Sequence, residues 1–146
     1  MSHIRSVTAT EEFDVPAAAV WALLVDWGGI GNWMPDGYIR SLRLEGQGVG
    51  AIRHLVTGQG VQLSERLDAL DETAGTLELS MVGALPWGLV SYRASVRLVR
   101  LSQHRCRLTW QGTFETADGG AQSEQMATLL SKSYAKMFLG IRRATA

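Results

Sequence analysis

Three observations predict an α+β fold in which a seven-stranded curved antiparallel sheet wraps one long C-terminal helix, with two short helices between strands 1 and 2. Residues 6–15 alternate apolar and polar side chains, and six further strand-length segments lie between 38 and 115. The connections among those six are short, as an antiparallel meander requires. Residues 121–143 repeat apolar side chains at helical spacing. One helix can be buried against seven strands only if the sheet bends around it, so the sheet has a concave apolar face.

In the first strand Val7, Ala9, Glu11, Phe13 and Val15 share one side, opposed by Ser6, Thr8, Thr10, Glu12 and Asp14. Pro16 then stands where a helix begins, and the run from Ala17 to Val25 is rich in helix formers, so a short helix ends near Asp26. Residues 27–37 carry three glycines before Pro35 and a fourth after it, a broken helical connection anchored by Trp27 and Trp33. Strands follow at 38–44, 51–57, 61–68, 76–82, 90–100 and 105–115, separated by turn signals such as Gly58-Gln59-Gly60 and Ser102-Gln103-His104. In the last helix Met126, Leu129, Leu130, Ser133, Tyr134, Met137, Phe138 and Ile141 form the apolar stripe. No linker, repeat or low-complexity segment interrupts residues 1–146, which read as a single domain.

The chain of 146 residues balances 14 basic against 14 acidic side chains, scattered along its length, so it lacks the electrostatic footprint of a nucleic-acid or membrane-surface binder. Cys106 alone cannot form an internal disulfide, and His3, His54 and His104 are not spaced with it as metal ligands; no metal or other cofactor is expected. No apolar run is long enough for a signal peptide or a membrane span, which points to the cytoplasm. Nothing specifies an oligomeric state. Five tryptophans in a neutral chain of this size must be buried or must line something.

Alternation assigns faces strand by strand. Val61, Leu63, Glu65 and Leu67 point one way, so Glu65 is the one charge on that apolar side; Leu77, Leu79 and Met81 point inward from the next strand. Val90, Tyr92, Ala94, Val96 and Leu98 do so from the sixth strand, and Cys106, Leu108, Trp110, Gly112 and Phe114 from the seventh. If Thr57 and Val61 close a three-residue loop, Arg53 stands directly opposite Glu65 on the inner face. Such an ion pair marks a functional site or closes one end of the sheet, and alternation does not separate the two. The hairpin at 102–104 pairs Ala94 with Gly112 and Tyr92 with Phe114. Two small residues facing each other leave volume: either the helix packs closely there, or a cavity opens among Met81, Tyr92, Trp110 and Tyr134. Glu11, also inward, is a second carboxylate that could partner Glu65 in acid/base work.

Taken in order, Val15-Pro16-Ala17-Ala18-Ala19-Val20-Trp21, Trp33-Met34-Pro35, Gly48-Val49-Gly50-Ala51-Ile52-Arg53, Glu65-Arg66-Leu67-Asp68, Leu85-Pro86, Ser91-Tyr92-Arg93-Ala94 and Leu108-Thr109-Trp110 resemble the polyketide cyclase/dehydrase branch of the START/Bet v 1-like superfamily. The resemblance implies the helix-grip fold around a hydrophobic cavity. Glu65-Arg66-Leu67-Asp68 and Ser91-Tyr92-Arg93-Ala94-Ser95 are also similar to plant abscisic-acid receptors, whose matching glutamate and tyrosine contact ligand through polar networks, a role implied for Glu65 and Tyr92. Those receptors carry a longer, proline-containing gate loop where Gly58-Gln59-Gly60 stands here, so a gate-and-latch mechanism is not implied. Leu85-Pro86-Trp87-Gly88 reads as a portal loop with Trp87 as its lid, or as a surface loop with one packed aromatic.

The expected partner is a small hydrophobic, aromatic or polyketide-like molecule, cyclised or dehydrated by acid/base chemistry after the cavity has folded it. Glu65 acts as base or acid, Arg53 holds its charge state or an enolate, and Tyr92 donates to a carbonyl, as does Tyr134. Trp33, Leu63, Leu79, Met81, Ala94, Trp110, Met126, Leu130 and Tyr134 form the ligand-binding set. The alternatives are a non-catalytic carrier or sensor of a lipid or aromatic metabolite, and an assembly partner whose cavity has collapsed.

Overall fold

Alternating strands joined by tight turns leave the chain little choice but a meander, and the computed structural model, which describes residues 3–146, has that form. The elements run β1 (Arg5–Phe13), α1 (Ala17–Val25), a 3-10 helix (Trp27–Asn32), β2 (Ile39–Glu45), β3 (Ile52–Thr57), β4 (Gln62–Asp71), β5 (Thr76–Val82), β6 (Leu89–Ser102), β7 (Arg105–Thr116) and α2 (Ser123–Ala144). The sheet order is β1-β7-β6-β5-β4-β3-β2, with every neighbouring pair antiparallel. The first strand thus joins the free side of the last. The chain has the seven-stranded Bet v 1-like fold, with its short helices between β1 and β2.

The registers follow from the turns. Thr57 N–H donates to the Val61 carbonyl at 2.9 Å, closing the loop at Gly58-Gln59-Gly60, and Arg53 stands opposite Glu65. Across β6 and β7, Ala94 faces Gly112 and Tyr92 faces Phe114. Four register shifts interrupt the ladders among the described residues, and two of them alter the strand reading made from alternation. One between Leu67 and Ala69 accompanies the extension of β4 to Asp71, beyond the expected end at 68. The other, between Leu89 and Ser91, corrects the expected inward placement of Val90: the irregularity turns Leu89 inward and leaves Val90 57% exposed.

Helix α2 lays Met126, Leu130, Tyr134, Met137, Phe138 and Ile141 into the concave face, all buried. Their i, i+4 spacing makes one stripe, and each large side chain removed from water contributes about 1.5–3 kcal/mol. Polar contacts fix how the helix lies. The Tyr38 hydroxyl meets Ser133 Oγ at 2.6 Å, with the Lys136 ammonium 5.7 Å from the Tyr38 ring. Near the helix C-terminus Arg142 donates to Glu11 Oε2 at 2.8 Å and to the Glu12 carbonyl at 3.1 Å, and its guanidinium lies 4.9 Å over the Phe13 ring.

Close approach at the helix depends on Gly140, where an added Cβ would overlap the Trp33 carbonyl oxygen, a backbone atom that cannot swing aside. Gly140→Ala is therefore expected to lower stability by about 1–3 kcal/mol in urea denaturation. Gly31→Ala serves as the comparison: its Cβ would meet only Ile39 Cγ2 at 3.9 Å, and its midpoint should stay near that of the parent chain.

Candidate functional site

Arg53 is the most buried charged side chain described, at 3% exposure. Its Nε and Nη2 each lie 2.8 Å from the same carboxylate oxygen, Glu65 Oε1. Both donors converge on one oxygen instead of forming a two-oxygen fork, and Glu65 Oε2 has no hydrogen bond among the described residues. The guanidinium is also stacked 3.5 Å from the centroid of the Trp27 ring, and Trp27 Nε1 donates to the Glu65 backbone carbonyl at 3.2 Å. Trp27 touches both members of the pair, a role the sequence analysis missed. A signal was available: a buried guanidinium needs more than one carboxylate around it, and an aromatic face is a common second partner. Burial pulls the Arg53 guanidinium below its usual range, while Glu65 acts the other way.

Register places the other polar groups nearby. Glu65 on β4 faces Met81 on β5, and the β5–β6 pairing ends at Ser80 and Arg93, one residue short of Met81 and Tyr92. From α2, Tyr134 reaches the same region, and its hydroxyl lies 2.6 Å from that of Tyr92. The Trp110 and Tyr134 rings are tilted by 43° with centroids 6.0 Å apart. Burial is the main cause that raises the Tyr92 phenol well above its ordinary range, reinforced by Tyr134 and by the charge of Glu65. Burial likewise raises Tyr134 to about 12, and again Glu65 adds to the shift. The carboxylate therefore acts electrostatically on both hydroxyls. The indole N–H of Trp110 is close enough to the Tyr92 hydroxyl to favour its ionised form slightly, yet it forms no hydrogen bond of normal geometry.

Ala94 and Gly112 stand opposite one another as expected, and the helix takes up the space between them: a Cβ on Gly112 would overlap the Tyr134 hydroxyl. Trp110, Met126, Leu130 and Tyr134 are each no more than 5% exposed, and Leu63, Leu79 and Ala94 are buried beside Met81, which packs on the same core. Two grooves lie elsewhere. One of about 530 Å³ runs over the convex face past Ser95, Arg97, Thr109 and Gln111, and one of about 400 Å³ lies between α1 and the Glu72–Gly75 turn. Trp33 is buried, but its carbonyl sits against Gly140, six residues along α2 from Tyr134, about 9 Å along the axis. Glu11 is not brought to Glu65; it is held by Arg142. Trp87 is half-buried against the core with φ 59°, in a region an L side chain adopts only at some cost. Among the described residues no cluster of three or more His, Cys, Asp or Glu could hold a metal, and no helix is long and apolar enough to cross a membrane.

The fold agrees with what similarity shows. The chain belongs to the polyketide cyclase/dehydrase and lipid transport family, which matches residues 5–145. None of the curated proteins matches the sequence. Among solved structures, a Bacillus thuringiensis protein superposes with TM-score 0.82 at 22% identity, covering 97% of this chain and 98% of its own. Norcoclaurine synthase from Thalictrum flavum, solved in complex with dopamine and hydroxybenzaldehyde, gives 0.78 at 16% identity over 96% and 85%. A Thermobifida fusca protein is 28% identical over 81% of this chain and 78% of its own, with TM-score 0.67.

Two predictions follow from the geometry. Arg53→Met leaves a mostly buried carboxylate without its partner and should cost about 3–5 kcal/mol in urea denaturation, whereas Arg53→Met combined with Glu65→Leu should recover most of the loss. The second concerns alkali. Unfolded phenols ionise near pH 10, Tyr134 in the folded chain at about 12 and Tyr92 also well above 10. The folded state keeps protons that the unfolded chain has lost, so the stability these phenols support is complete below pH 10 and falls as pH rises from 10 towards 12. In a Tyr38→Phe chain, phenolate absorbance at 295 nm should stay low at pH 11 and rise together with loss of the circular dichroism of the fold.

Proposed function

We propose that this chain binds a small hydrophobic, aromatic or polyketide-like molecule on the concave face beside α2 and promotes its cyclisation or dehydration by acid/base chemistry. The observation that carries this reading is the arrangement of Glu65: one carboxylate oxygen is held by Arg53, the other is unengaged, and its charge acts on two buried tyrosine hydroxyls. Glu65 exchanges a proton with the ligand, Arg53 holds the carboxylate in place, and the Tyr92–Tyr134 pair donates a hydrogen bond to a carbonyl. Leu63, Leu79, Met81, Ala94, Trp110, Met126 and Leu130 supply the apolar walls, and Trp33 the rim. Norcoclaurine synthase, with its aromatic amine and aldehyde, supports an aromatic partner. Tyr134 occupies the space beside Gly112, so a ligand must displace it or bind next to it.

Tyr134's close packing on Gly112 favours a second reading, in which the interior is a closed core and the chain works through its outer surface. Native mass spectrometry of the purified protein and thermal shift against a panel of aromatic ketones distinguish the two, because a closed core gives neither a bound species nor stabilisation. For the first reading, Glu65→Gln should retain ligand affinity within about threefold and lose product formation by 10²–10⁴-fold, the usual contribution of a general acid or base. Retained binding with no turnover in the parent chain would identify a carrier instead.

A further inference from the structure

Hydrogen-bond accounting on the concave face leaves donors without acceptors. The Tyr92 and Tyr134 hydroxyls carry one proton each, and the bond between them uses one; neither makes a second hydrogen bond among the described residues. One O–H of the pair is therefore unspent, and the raised phenols keep it protonated at neutral pH. Beside it, Trp110 Nε1 is buried with no hydrogen-bond partner, on a side chain 4% exposed. An indole nitrogen only donates, and the Tyr92 oxygen, which could accept, is near it but not in normal hydrogen-bonding geometry. Trp21 Nε1 and Trp33 Nε1 are also buried without a partner among the described residues, but Trp110 alone of the three stands beside the tyrosine pair, and such a donor is satisfied by an acceptor from outside the chain, a water or a ligand.

We propose that Trp110 Nε1–H and the free proton of the Tyr92–Tyr134 pair together bind one neutral carbonyl oxygen of the ligand, so that the site selects aryl ketones over hydrocarbons of the same shape. This rests on the ligand-binding reading above and adds Trp110 as a hydrogen-bond donor, beyond its part in the apolar wall. The charge of Glu65 decides between a neutral and an anionic oxygen. Burial, which is the main cause raising both phenols, and the added charge of Glu65 both oppose negative charge on an oxygen bound beside them, and Arg53 is already engaged with Glu65. A carbonyl satisfies both donors without adding charge. Gly112 and Ala94 have a part in this set: a larger residue at 112 would push the Tyr134 hydroxyl away from Tyr92.

The test compares 1-tetralone with tetralin, which differ by the carbonyl, in calorimetric titrations of the full chain, of Trp110→Phe and of the double variant Tyr92→Phe/Tyr134→Phe. The ketone-to-hydrocarbon affinity ratio, in which any loss of apolar packing common to both compounds cancels, should fall about tenfold in each variant. In the parent protein, the Trp110 indole N–H resonance should shift downfield with tetralone and not with tetralin, a readout that needs no folded variant. An unchanged ratio, an equal loss of both compounds, or an indole resonance that responds alike to both would overturn the donor set while leaving ligand binding intact. If neither compound binds the parent chain, the ligand-binding reading fails and this proposal with it.

Discussion

The distance between helix α2 and the sheet is the constraint on which the rest of this structure depends. Two glycines set it from opposite sides. Gly140 lets the helix backbone rest against the carbonyl of Trp33, and Gly112 on β7 clears the point that the Tyr134 hydroxyl occupies. With α2 this close, its stripe from Met126 to Ile141 is sealed, and the 3-10 helix with Trp33 is drawn over one end. A sheet whose concave face is this near to its helix has little spare volume, so any polar group there must be satisfied by its immediate neighbours.

Two kinds of polar group meet that demand differently. Arg53 is enclosed on several sides, by Glu65 through a hydrogen bond and an ion pair to the same oxygen and by the face of Trp27, whose own N–H returns to the Glu65 backbone. This ties the 3-10 helix to the middle of the sheet through a charge, which tolerates burial only in such company. The tyrosine pair and Trp110 are less completely matched. They are buried as deeply, yet one hydroxyl proton and the Trp110 N–H have no hydrogen-bond partner among the described residues. One side of the cluster is built for permanence and the other is left with unspent hydrogen-bonding capacity.

Much of this was legible in the sequence. Strand parity and a three-residue loop were enough to set Arg53 opposite Glu65 and Ala94 opposite Gly112, because a one-residue slip would have turned every apolar side chain to the wrong face. Val90 was misplaced because a bulge breaks parity and has no distinctive residue here to announce it. The partner of Glu11 could not be read, since Arg142 lies 131 positions away and reaches it only once α2 has been placed. Trp27 escaped for a related reason: it leaves a 3-10 helix whose position over the sheet no periodicity determines. Whether the gap across Ala94 and Gly112 stayed open depended on the rotation of α2, and a tyrosine at 134 is long enough to cross it.

The place of β1 in the sheet has a kinetic side. β1 pairs only with β7, Phe13 meeting Cys106 and Arg5 meeting Phe114. About ninety residues separate the two strands at their nearest, so β1 leaves the ribosome with no ladder to join until β7 has been made. The β2–β7 hairpins close from local contacts, whereas docking β1 must wait for closure of that long loop, the slow kind of step in β-rich chains. Until then Val7, Ala9 and Phe13 lack the partners that bury them. The interval is set by topology, and it makes this strand the segment most exposed to mispairing or to a chaperone during synthesis.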